Sequence, residues 1–401
     1  MHRRWVLVRR HVVLLSIIMI LLIAVQTGLT YLSKGISAAA ETTGHVEAAA
    51  ETELPADIAA WLALMPDLAK AQAPSWLKIG TRITYHVMSA AREGDNSPAG
   101  ESIVQYDIVS NDGATVLAAA AVHVIGSGGS IAAPRDTGFI VGVPGVGEAW
   151  MAPASLAKAE KHATKDLTIT HTSTNVNGVA TKAVRFEYIK EDSRSVSVFD
   201  EAKGALLYRI QASGNAETAK QSSIVSEFMS IRQPAAAWTG GTTPAWAQAG
   251  KLLMYEGSVT VSVMYGSPGT QLPIVMLCSV ITSSPAGVHV KWESYLSGAK
   301  TEERYSLYSS SLPSGGIFLP QSALRTLKAG KVLDTDPITG IVVSVAQSLI
   351  SVDGKQLLAI VHEGQSFKRV YGYDRQSGML CYYSEASQEG ATSVKAELRL
   401  R

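Results

Sequence analysis

The sequence predicts an α+β fold that is mainly β. It comprises two duplicated, curved antiparallel sheets in tandem, each with one short covering helix, behind an N-terminal transmembrane helix. Three observations predict it: an apolar run follows four arginines at the N-terminus, strand patterns fill most of the remainder, and one hairpin sequence occurs twice. With 401 residues, 46% hydrophobic and 17% charged, the chain is long enough to bury two cores.

Residues 1–37 are predicted to form a signal anchor. Four arginines between Arg3 and Arg10 precede the uncharged stretch from Val12 to Leu32, and about 20 apolar residues cross a bilayer core of about 30 Å. Arginines remain on the cytoplasmic side, so we expect a single-pass protein of the plasma membrane with most of its chain outside the cytoplasm. The alternative is secretion after cleavage near Ala40, which ends a small-residue A-x-A pattern.

Net charge argues against nucleic acid as a partner. The first 40 residues hold five bases and no acid, which leaves 30 bases against 34 acids in the remainder, a net charge of −4. A mildly acidic body lacks the basic surface that nucleic-acid binding needs. The expected partners are therefore the membrane, through the N-terminal helix, and a lipid, another hydrophobic ligand or an envelope protein.

Residues 38–75 are predicted to be an Ala/Glu-rich tether followed by a short helix. The helix lies in "LPADIAAWLALMPDLAKAQ", where Ile58, Trp61, Leu62 and Met65 fall on one face. Pro66 ends or kinks it. We expect this helix to cap a domain.

Two β-rich units follow, residues 76–232 and 246–401, joined by a Pro/Gly/Thr linker at 233–245. β-Branched and aromatic residues alternate with polar ones in segments such as "TRITYHVMS" and "SVSVFD" in the first unit and "SVTVSVMYG" and "VHVKWESYL" in the second. This alternation is typical of half-buried antiparallel strands.

The duplication is predicted from a repeated hairpin. "DEAKGALLYRIQAS", which begins at Asp200, matches "DRQSGMLCYYSEAS", which begins at Asp374, at six of fourteen positions. Other matches occur in the same order along both halves. They are the W-x3-G-x4-Y frames of Trp76, Gly80 and Tyr85 and of Trp246, Gly250 and Tyr255, the V-H-V sequences of His123 and His289, the helix starts at Pro153 and Pro320, and the turns Asn177-Gly178 and Asp353-Gly354.

The repeated residues have structural explanations. Asn-Gly and Asp-Gly pairs favour tight hairpins because both residues tolerate positive φ. In the D-x3-G segment the aspartate closes a turn onto its own backbone and the glycine adopts a left-handed conformation. We therefore expect the repeated hairpin to define the fold rather than to bind a ligand.

The hairpin also carries a family resemblance. An aromatic residue before the aspartate, as in Phe199-Asp200 and Tyr373-Asp374, a turn with glycine and an apolar strand are present in both halves. With a curved sheet and a helical lid, this looks like the LolA/LolB type of open β-barrel carrier of lipidated proteins. The resemblance covers about fourteen residues per unit and implies no specific functional residue.

No catalytic, cofactor or metal motif is present. The sequence lacks H-E-x-x-H, G-x-S-x-G, Walker A and paired C-x-x-C patterns. Cys278 and Cys381 are predicted to be buried thiols, with a disulfide as the alternative in an exported domain. His123 and His289 are predicted to be solvent-facing or hydrogen-bonded strand residues rather than metal ligands.

We expect a non-enzymatic protein that binds a hydrophobic small ligand or lipid. The alternatives are a cell-envelope scaffold or protein-docking module and an extracytoplasmic hydrolase without a recognisable motif. A curved sheet under a helix can leave an apolar cleft, and its candidate lining residues come from the matched positions. They are Trp76, Tyr85, His123, Trp246, Tyr255 and His289.

Overall fold

The computed structural model describes residues 56–92, 100–126, 128–191, 193–215, 220–235, 241–262, 269–285, 287–312, 316–389 and 392–401. All of them belong to one compact unit that extends from Val46 to Arg401. The predicted anchor, residues 1–37, lies outside the described residues. Among those that are described, no helix is long and apolar enough to span a membrane.

The fold is mainly β, as predicted, with two large antiparallel sheets and few helices. Sheet 1 has ten strands in the order β4-β3-β2-β1-β12-β11-β10-β9-β8-β7. Its strands are β1 (Arg82–Arg92), β2 (Gly100–Asn111), β3 (Val116–Ile125), β4 (Arg135–Gly142), β7 (His162–Ala163), β8 (Leu167–Val176), β9 (Val179–Lys190), β10 (Ser193–Asp200), β11 (Leu206–Asn215) and β12 (Lys220–Arg232). β5 (Val146–Gly147) and β6 (Trp150–Met151) pair separately.

Sheet 2 has eleven strands in the order β16-β15-β14-β13-β23-β22-β21-β20-β18-β17, with β19 paired to β20. Its strands are β13 (Leu252–Ser262), β14 (Thr270–Ser284), β15 (Gly287–Leu296), β16 (Ala299–Tyr308), β17 (Val332–Thr335), β18 (Val342–Val345), β19 (Ile350–Val352), β20 (Lys355–Glu363), β21 (Phe367–Asp374), β22 (Leu380–Glu389) and β23 (Thr392–Leu400). In both sheets the first strand of the half pairs with its last strand at the centre. From there the strands that follow the first run to one edge of the sheet, and those that precede the last run to the other edge.

Three turns of the D-x3-G type share one geometry. In each, the aspartate N–H donates to the carbonyl oxygen five residues later at 2.9 Å, and the glycine N–H donates back to the aspartate carbonyl oxygen. The glycines have φ values near +70°, which L side chains rarely adopt. Two of these turns, Asp200–Gly204 and Asp374–Gly378, were predicted, and the third lies at Asp336–Gly340.

The predicted Asn-Gly and Asp-Gly hairpins also form. Asn177, Gly178, Asp353 and Gly354 all have positive φ, and they join β8 to β9 and β19 to β20. Both central residues of a type I′ turn need this conformation. The Asn-Gly and Asp-Gly pairs therefore form the predicted hairpins, because both residues of each pair adopt positive φ.

The helices are few and short. α1 is Ala56–Leu64, followed by a 3-10 turn, Pro66–Lys70, and α2 and α3 are Pro153–Lys158 and Gln321–Thr326. α1 ends before Pro66, as expected for a residue that cannot continue a helix. Pro153 is the first residue of α2, whereas Pro320 is the N-cap of α3, so the two prolines are not equivalent as the sequence match had placed them.

Each sheet has its own hydrophobic core on one face. The core face of sheet 1 packs against α1 and contains Ile83, Tyr85 and Val87 of β1. The core face of sheet 2 contains Leu253 and Tyr255 of β13 with many residues of the same half. Side chains of a strand alternate between faces, so Arg82 and Thr84 lie on the opposite face of sheet 1, which we call its outer face.

Candidate functional site

The six candidate ligand-binding residues do not form one site. Trp76 Nε1 donates to Lys203 O at 2.8 Å, and Trp246 Nε1 donates to Ser377 O at 3.0 Å. Each indole therefore binds the D-x3-G turn of its own half. Ser377 lies in its turn where Lys203 lies in the other.

The matched tyrosines have one role in both halves. Tyr85 and Tyr255 are 2% and 1% exposed. Their hydroxyls donate to Leu206 O at 3.2 Å and Leu380 O at 3.1 Å, the first residues of β11 and β22. A buried hydroxyl with a backbone partner stabilises the fold. These contacts give the W-x3-G-x4-Y frame a structural role at all four aromatic positions.

The two histidines are not equivalent, and their sequence match is wrong. Gly80 N donates to Ile108 O and Gly250 N to Val280 O, so Ile108 and Val280 correspond. Ile103 lies five residues before Ile108, and Val275 lies five residues before Val280, so these two also correspond. Ile103 pairs with His123, whereas Val275 pairs with Tyr295 and not with His289. The V-H-V sequences repeat a strand pattern at different registers.

The core face of sheet 1 is covered by α1. Ile58 and Trp61 are 0% and 1% exposed, and the Trp61 ring lies 5.3 Å from Phe186 and 5.7 Å from Phe199 between centroids. Burial of two such side chains contributes roughly 2–3 kcal/mol each. The covering segment is thus held mainly by apolar contact.

A buried ion pair lies beneath the start of α1. Asp57 Oδ2 accepts from Arg209 Nη2 at 2.5 Å and from Ser195 Oγ at 3.1 Å. A second carboxylate, Glu148, lies 3.9 Å from Arg209 Nη1. Burial is the largest influence on Glu148 and raises its pKa, Arg209 opposes that shift, and Asp57 adds to it. One cation therefore serves two carboxylates.

Sheet 2 carries α3 on its core, and beside it, around Phe367 and Arg369, lies a segment from the first half, residues 131–136. Ile131 O accepts from Ser366 Oγ at 3.0 Å, and Pro134 O accepts from Arg369 Nη1 at 2.5 Å. Ala133 packs with Phe367 and Ile341. The end of the β3–β4 connection of one half, together with the start of β4, therefore lies on a sheet of the other half.

The two covering segments bind at corresponding strand positions. Ser195 and Arg369 each lie five residues before the turn aspartate, and both donate to the segment that covers their sheet. Arg209 and Tyr383 each lie five residues after the turn glycine. In sheet 2, Arg369 also pairs with Glu385 at 2.8 Å, which accepts from the Tyr383 hydroxyl.

A polar cluster, which we call the seam, joins the outer face of sheet 1 to the β17–β18 hairpin of sheet 2. Asp336 Oδ2 accepts from Arg82 at 3.1 Å, Gln105 at 2.9 Å and Arg232 at 2.7 Å. Two further aspartates complete the ion pairs: Arg82 binds Asp107 and Arg232 binds Asp334, each through two hydrogen bonds.

The Asp336 turn is well suited to this contact. Asp336 Oδ1 accepts the backbone N–H groups of Ile338 and Thr339 at 2.9 and 3.0 Å, so the same carboxylate closes the turn and binds sheet 1. Burial raises the pKa of Asp336, but the hydrogen bonds from Arg232 and Thr339 and the charge of Arg82 lower it overall. The carboxylate is therefore held in its charged form.

His123 lies at the edge of the seam and is 2% exposed. Its Nδ1 is 3.3 Å from Ala132 O, and its Nε2 is 3.2 Å from Gln105 Oε1. The Gln105 amide nitrogen faces Asp336, so its oxygen faces the ring. A neutral imidazole carries one N–H and can donate to only one of these oxygens, whereas the protonated ring can donate to both.

Burial nevertheless favours the neutral ring. It is the largest influence on the pKa of His123, the charge of Arg82 acts in the same direction, and the Ala132 carbonyl acts in the opposite direction; the net result is a pKa of about 4. His123 is thus buried and hydrogen-bonded, one of the two predicted settings. His289 is partly buried, and its ring contacts Phe139 edge-on with centroids 5.0 Å apart.

Sequence reasoning missed the seam. A signal was available for Asp336, because "DPITGIVVSV" has the same D-x3-G spacing before an apolar strand as the two predicted turns. No sequence signal marked the other seam residues Arg82, Asp107 and Arg232, because single charged residues in strands normally face solvent. Only the packing of the two halves brings them together.

The two cysteines are not bonded to each other. Cys278 and Cys381 are both free thiols. Cys278 is buried, and burial raises the pKa of its thiol, so the nucleophilic thiolate is disfavoured. Among the residues that the structure describes, no group of three or more His, Cys, Asp or Glu side chains is arranged to hold a metal ion.

Comparisons with known proteins give distant structural similarities. The structure of MucB in complex with MucA(peri) covers 86% of this chain and 93% of its own, with 10% identity and a TM-score of 0.21. A DUF3598-family protein of unknown function from Nostoc punctiforme covers 80% of this chain and 96% of its own, with 10% identity and a TM-score of 0.14. No family model and no curated protein matches the sequence.

Proposed function

We propose that this protein is a non-enzymatic binding protein whose ligand is a segment of polypeptide. One observation carries the proposal: corresponding positions of the two sheets, Ser195 and Arg369, each donate a hydrogen bond to a segment from outside that sheet. The two halves are, in this proposal, copies of one segment-binding module. Their common strand order and their identical Trp and Tyr contacts support this.

We place the module outside the cytoplasm, held at the plasma membrane by residues 1–37. The support is the sequence, with arginines before the uncharged stretch from Val12 to Leu32. Protease treatment of intact cells, followed by N-terminal sequencing of the protected fragment, tests it. An anchored protein leaves a short membrane-bound fragment that begins at residue 1, whereas a secreted protein appears in the medium and begins after Ala40.

A hydrophobic small ligand or lipid, the first expectation from the sequence, competes for the same surface. An acyl carboxylate could pair with Arg209 as Asp57 does, with its chain along Phe186 and Phe199. The polypeptide is favoured by sheet 2, where the group facing the covering segment donates to a backbone carbonyl, Pro134 O. An acyl chain has no series of carbonyl groups to accept such bonds.

Peptide selection tests the proposed function. The detergent-solubilised full-length protein is used to select from a phage library of 14-residue peptides, and a fluorescent fatty acid is titrated in parallel. We expect enrichment of related peptides and no saturable fatty-acid binding. Saturable fatty-acid binding without peptide enrichment would support the lipid carrier instead, and hydrolysis of selected peptides would support an enzyme.

A further inference from the structure

Among the residues that the structure describes, no helix before the second half corresponds to α1. The residues directly before the second W-x3-G-x4-Y frame contain no helix in the part of the chain that the structure describes, 241–245. On sheet 2, Ser366 and Arg369 bind residues 131–136 instead, which are not helical. Each half packs one short helix of its own into its core, α2 through Leu156 on sheet 1 and α3 through Leu324 on sheet 2. α1 is therefore an additional helix on sheet 1.

The contact between α1 and sheet 1 leaves polar groups unmatched. Among the described residues, neither Trp61 Nε1 nor Arg209 Nε has a hydrogen-bond partner, although both atoms are buried. An unpaired buried donor weakens a contact by the loss of its hydration. Trp61 is 1% and Arg209 6% exposed. The face thus offers a donor, Arg209 Nε, that α1 does not use.

A second carboxylate lies beside the ion pair beneath α1. Glu148 lies 3.9 Å from Arg209 Nη1, close enough to pair with the guanidinium when Asp57 leaves. Breaking a buried ion pair is costly when the remaining charge has no partner. Because Glu148 supplies one, Arg209 does not become an unpaired buried cation when α1 is displaced.

We propose that the core face of sheet 1 exchanges α1 for a helix of a partner protein, with Arg209 as its anchor. The partner is an amphipathic helix that presents a carboxylate at one position and apolar side chains one and four positions later. This is the pattern of Asp57, Ile58 and Trp61 in α1. Grooves that bind a helix contact apolar side chains spaced three or four residues apart. The inference rests on the proposed function and names the partner of one of its two faces.

The exchange also explains how binding can be regulated. α1 follows directly on the predicted tether, so it competes with a partner helix from within the chain at a high effective concentration. A partner must displace it and therefore binds the intact protein more weakly than it binds a face that α1 has left. Weakening α1 is expected to increase partner affinity without any change to the sheet.

A labelled peptide of residues 53–66, "ELPADIAAWLALMP", is the probe. It is titrated by fluorescence anisotropy against the full-length protein and against a released variant, Ile58→Ser with Trp61→Ser, in which α1 no longer buries its apolar side. We expect saturable binding to the released variant at least tenfold tighter than to the unmodified protein. The near-UV circular dichroism of the variant reports whether its core remains packed.

Variants of the peptide and the face test the anchor. Asp57→Asn in the peptide is expected to weaken binding about tenfold, and Leu64→Ser, at an exposed position, to leave it unchanged. In the released variant, Arg209→Gln is expected to abolish the preference for Asp57 over Asn. Ser195→Ala, which removes only one hydrogen bond at 3.1 Å, is expected to weaken binding about threefold and provides the test if Arg209→Gln does not fold.

Two outcomes overturn the inference. One is a folded released variant that does not bind the peptide, and the other is binding that is insensitive to Asp57, Arg209 and Ser195. If either occurs while library peptides still bind the unmodified protein, the proposed function stands and its ligand uses another surface. Binding of a fatty acid but of no peptide by the released variant overturns both.

Discussion

The two sheets share a strand order and their turn chemistry but differ in what covers them. Each sheet packs one short helix of its own half, α2 or α3. In addition, sheet 1 holds α1, anchored by an ion pair, and sheet 2 holds a non-helical segment of the other half, anchored through a backbone carbonyl. The side chains at corresponding positions account for the difference. Ser195 and Arg209 face a carboxylate, whereas Arg369, already paired with Glu385, faces the Pro134 carbonyl. One scaffold thus accepts two kinds of polypeptide segment.

The turns of the two sheets also differ in use. All three D-x3-G turns close in the same way, but only in the Asp336 turn does the second carboxylate oxygen bind the other sheet. The turn needs only one oxygen of its aspartate carboxylate, so the other oxygen is free to bind a residue of another sheet. The turn that joins the halves is therefore the same structure as the turns that define each half.

Asp336→Asn is expected to have the largest effect on stability. Asparagine keeps the oxygen that closes the turn but removes the charge that faces Arg82 and Arg232, and loss of one partner from a buried ion pair costs about 3–5 kcal/mol. Urea unfolding of the full-length protein, followed by tryptophan fluorescence, measures it. Asp374→Asn is the matched control and should cost about 1 kcal/mol or less. Equal losses would show that Asp336 acts only within its turn.

His123 should make stability depend on pH. Its folded-state pKa of about 4 lies below its ordinary value of 6.5, so the unfolded chain takes up the proton first as the pH falls. The contribution of the neutral ring is complete above pH 6.5 and is lost between pH 6.5 and 4, by on the order of 3 kcal/mol.

The effect of His123 is measured as the difference between the protein and its His123→Gln variant. Unfolding free energies of both are determined at pH 7.5, 6, 5 and 4. The variant should lose less stability over this range because its side chain does not titrate. Parallel curves for the two proteins would assign the pH dependence to other groups, such as His362, whose pKa burial lowers to about 3.

Gly204→Ala and Gly378→Ala test whether the two halves are equivalent. A Cβ atom would lie 2.0 Å from Met151 O in one and 2.1 Å from Leu319 O in the other, both at positive φ. Each variant is expected to lose roughly 2–3 kcal/mol of unfolding free energy. Gly113→Ala, at a similar φ but with open space around it, is the control and should lose about 1 kcal/mol. A twofold or larger difference between the first two variants would contradict equivalence.

Tyr85→Phe and Tyr255→Phe should have the smallest effects. Each removes one buried hydroxyl that donates to a leucine carbonyl, at a cost of about 1 kcal/mol. Thermal unfolding of the two variants should give shifts that agree with each other. A neutral result for one of them would mean that its hydroxyl bond contributes nothing to its half.

Much of the fold was predictable because its determinants are local. Asn177-Gly178 and Asp353-Gly354 form the expected hairpins, since positive φ is a property of the residues themselves. The Trp76 and Trp246 frames were matched correctly, because each spacing joins one strand to one turn. The V-H-V match failed because alternation of valine with a polar residue is common to strands and does not fix register.

The sequence by itself determined the strands, the tight turns and the matched pairs of aromatic residues, because these depend on backbone preferences and on contacts within one half. Only the tertiary structure decided that Asp336 binds Arg82 and Arg232, that residues 131–136 lie on sheet 2 and that Asp57 reaches Arg209. Those contacts join residues far apart in the chain. A charge buried against a distant partner has the same letter in the sequence as a charge that faces water.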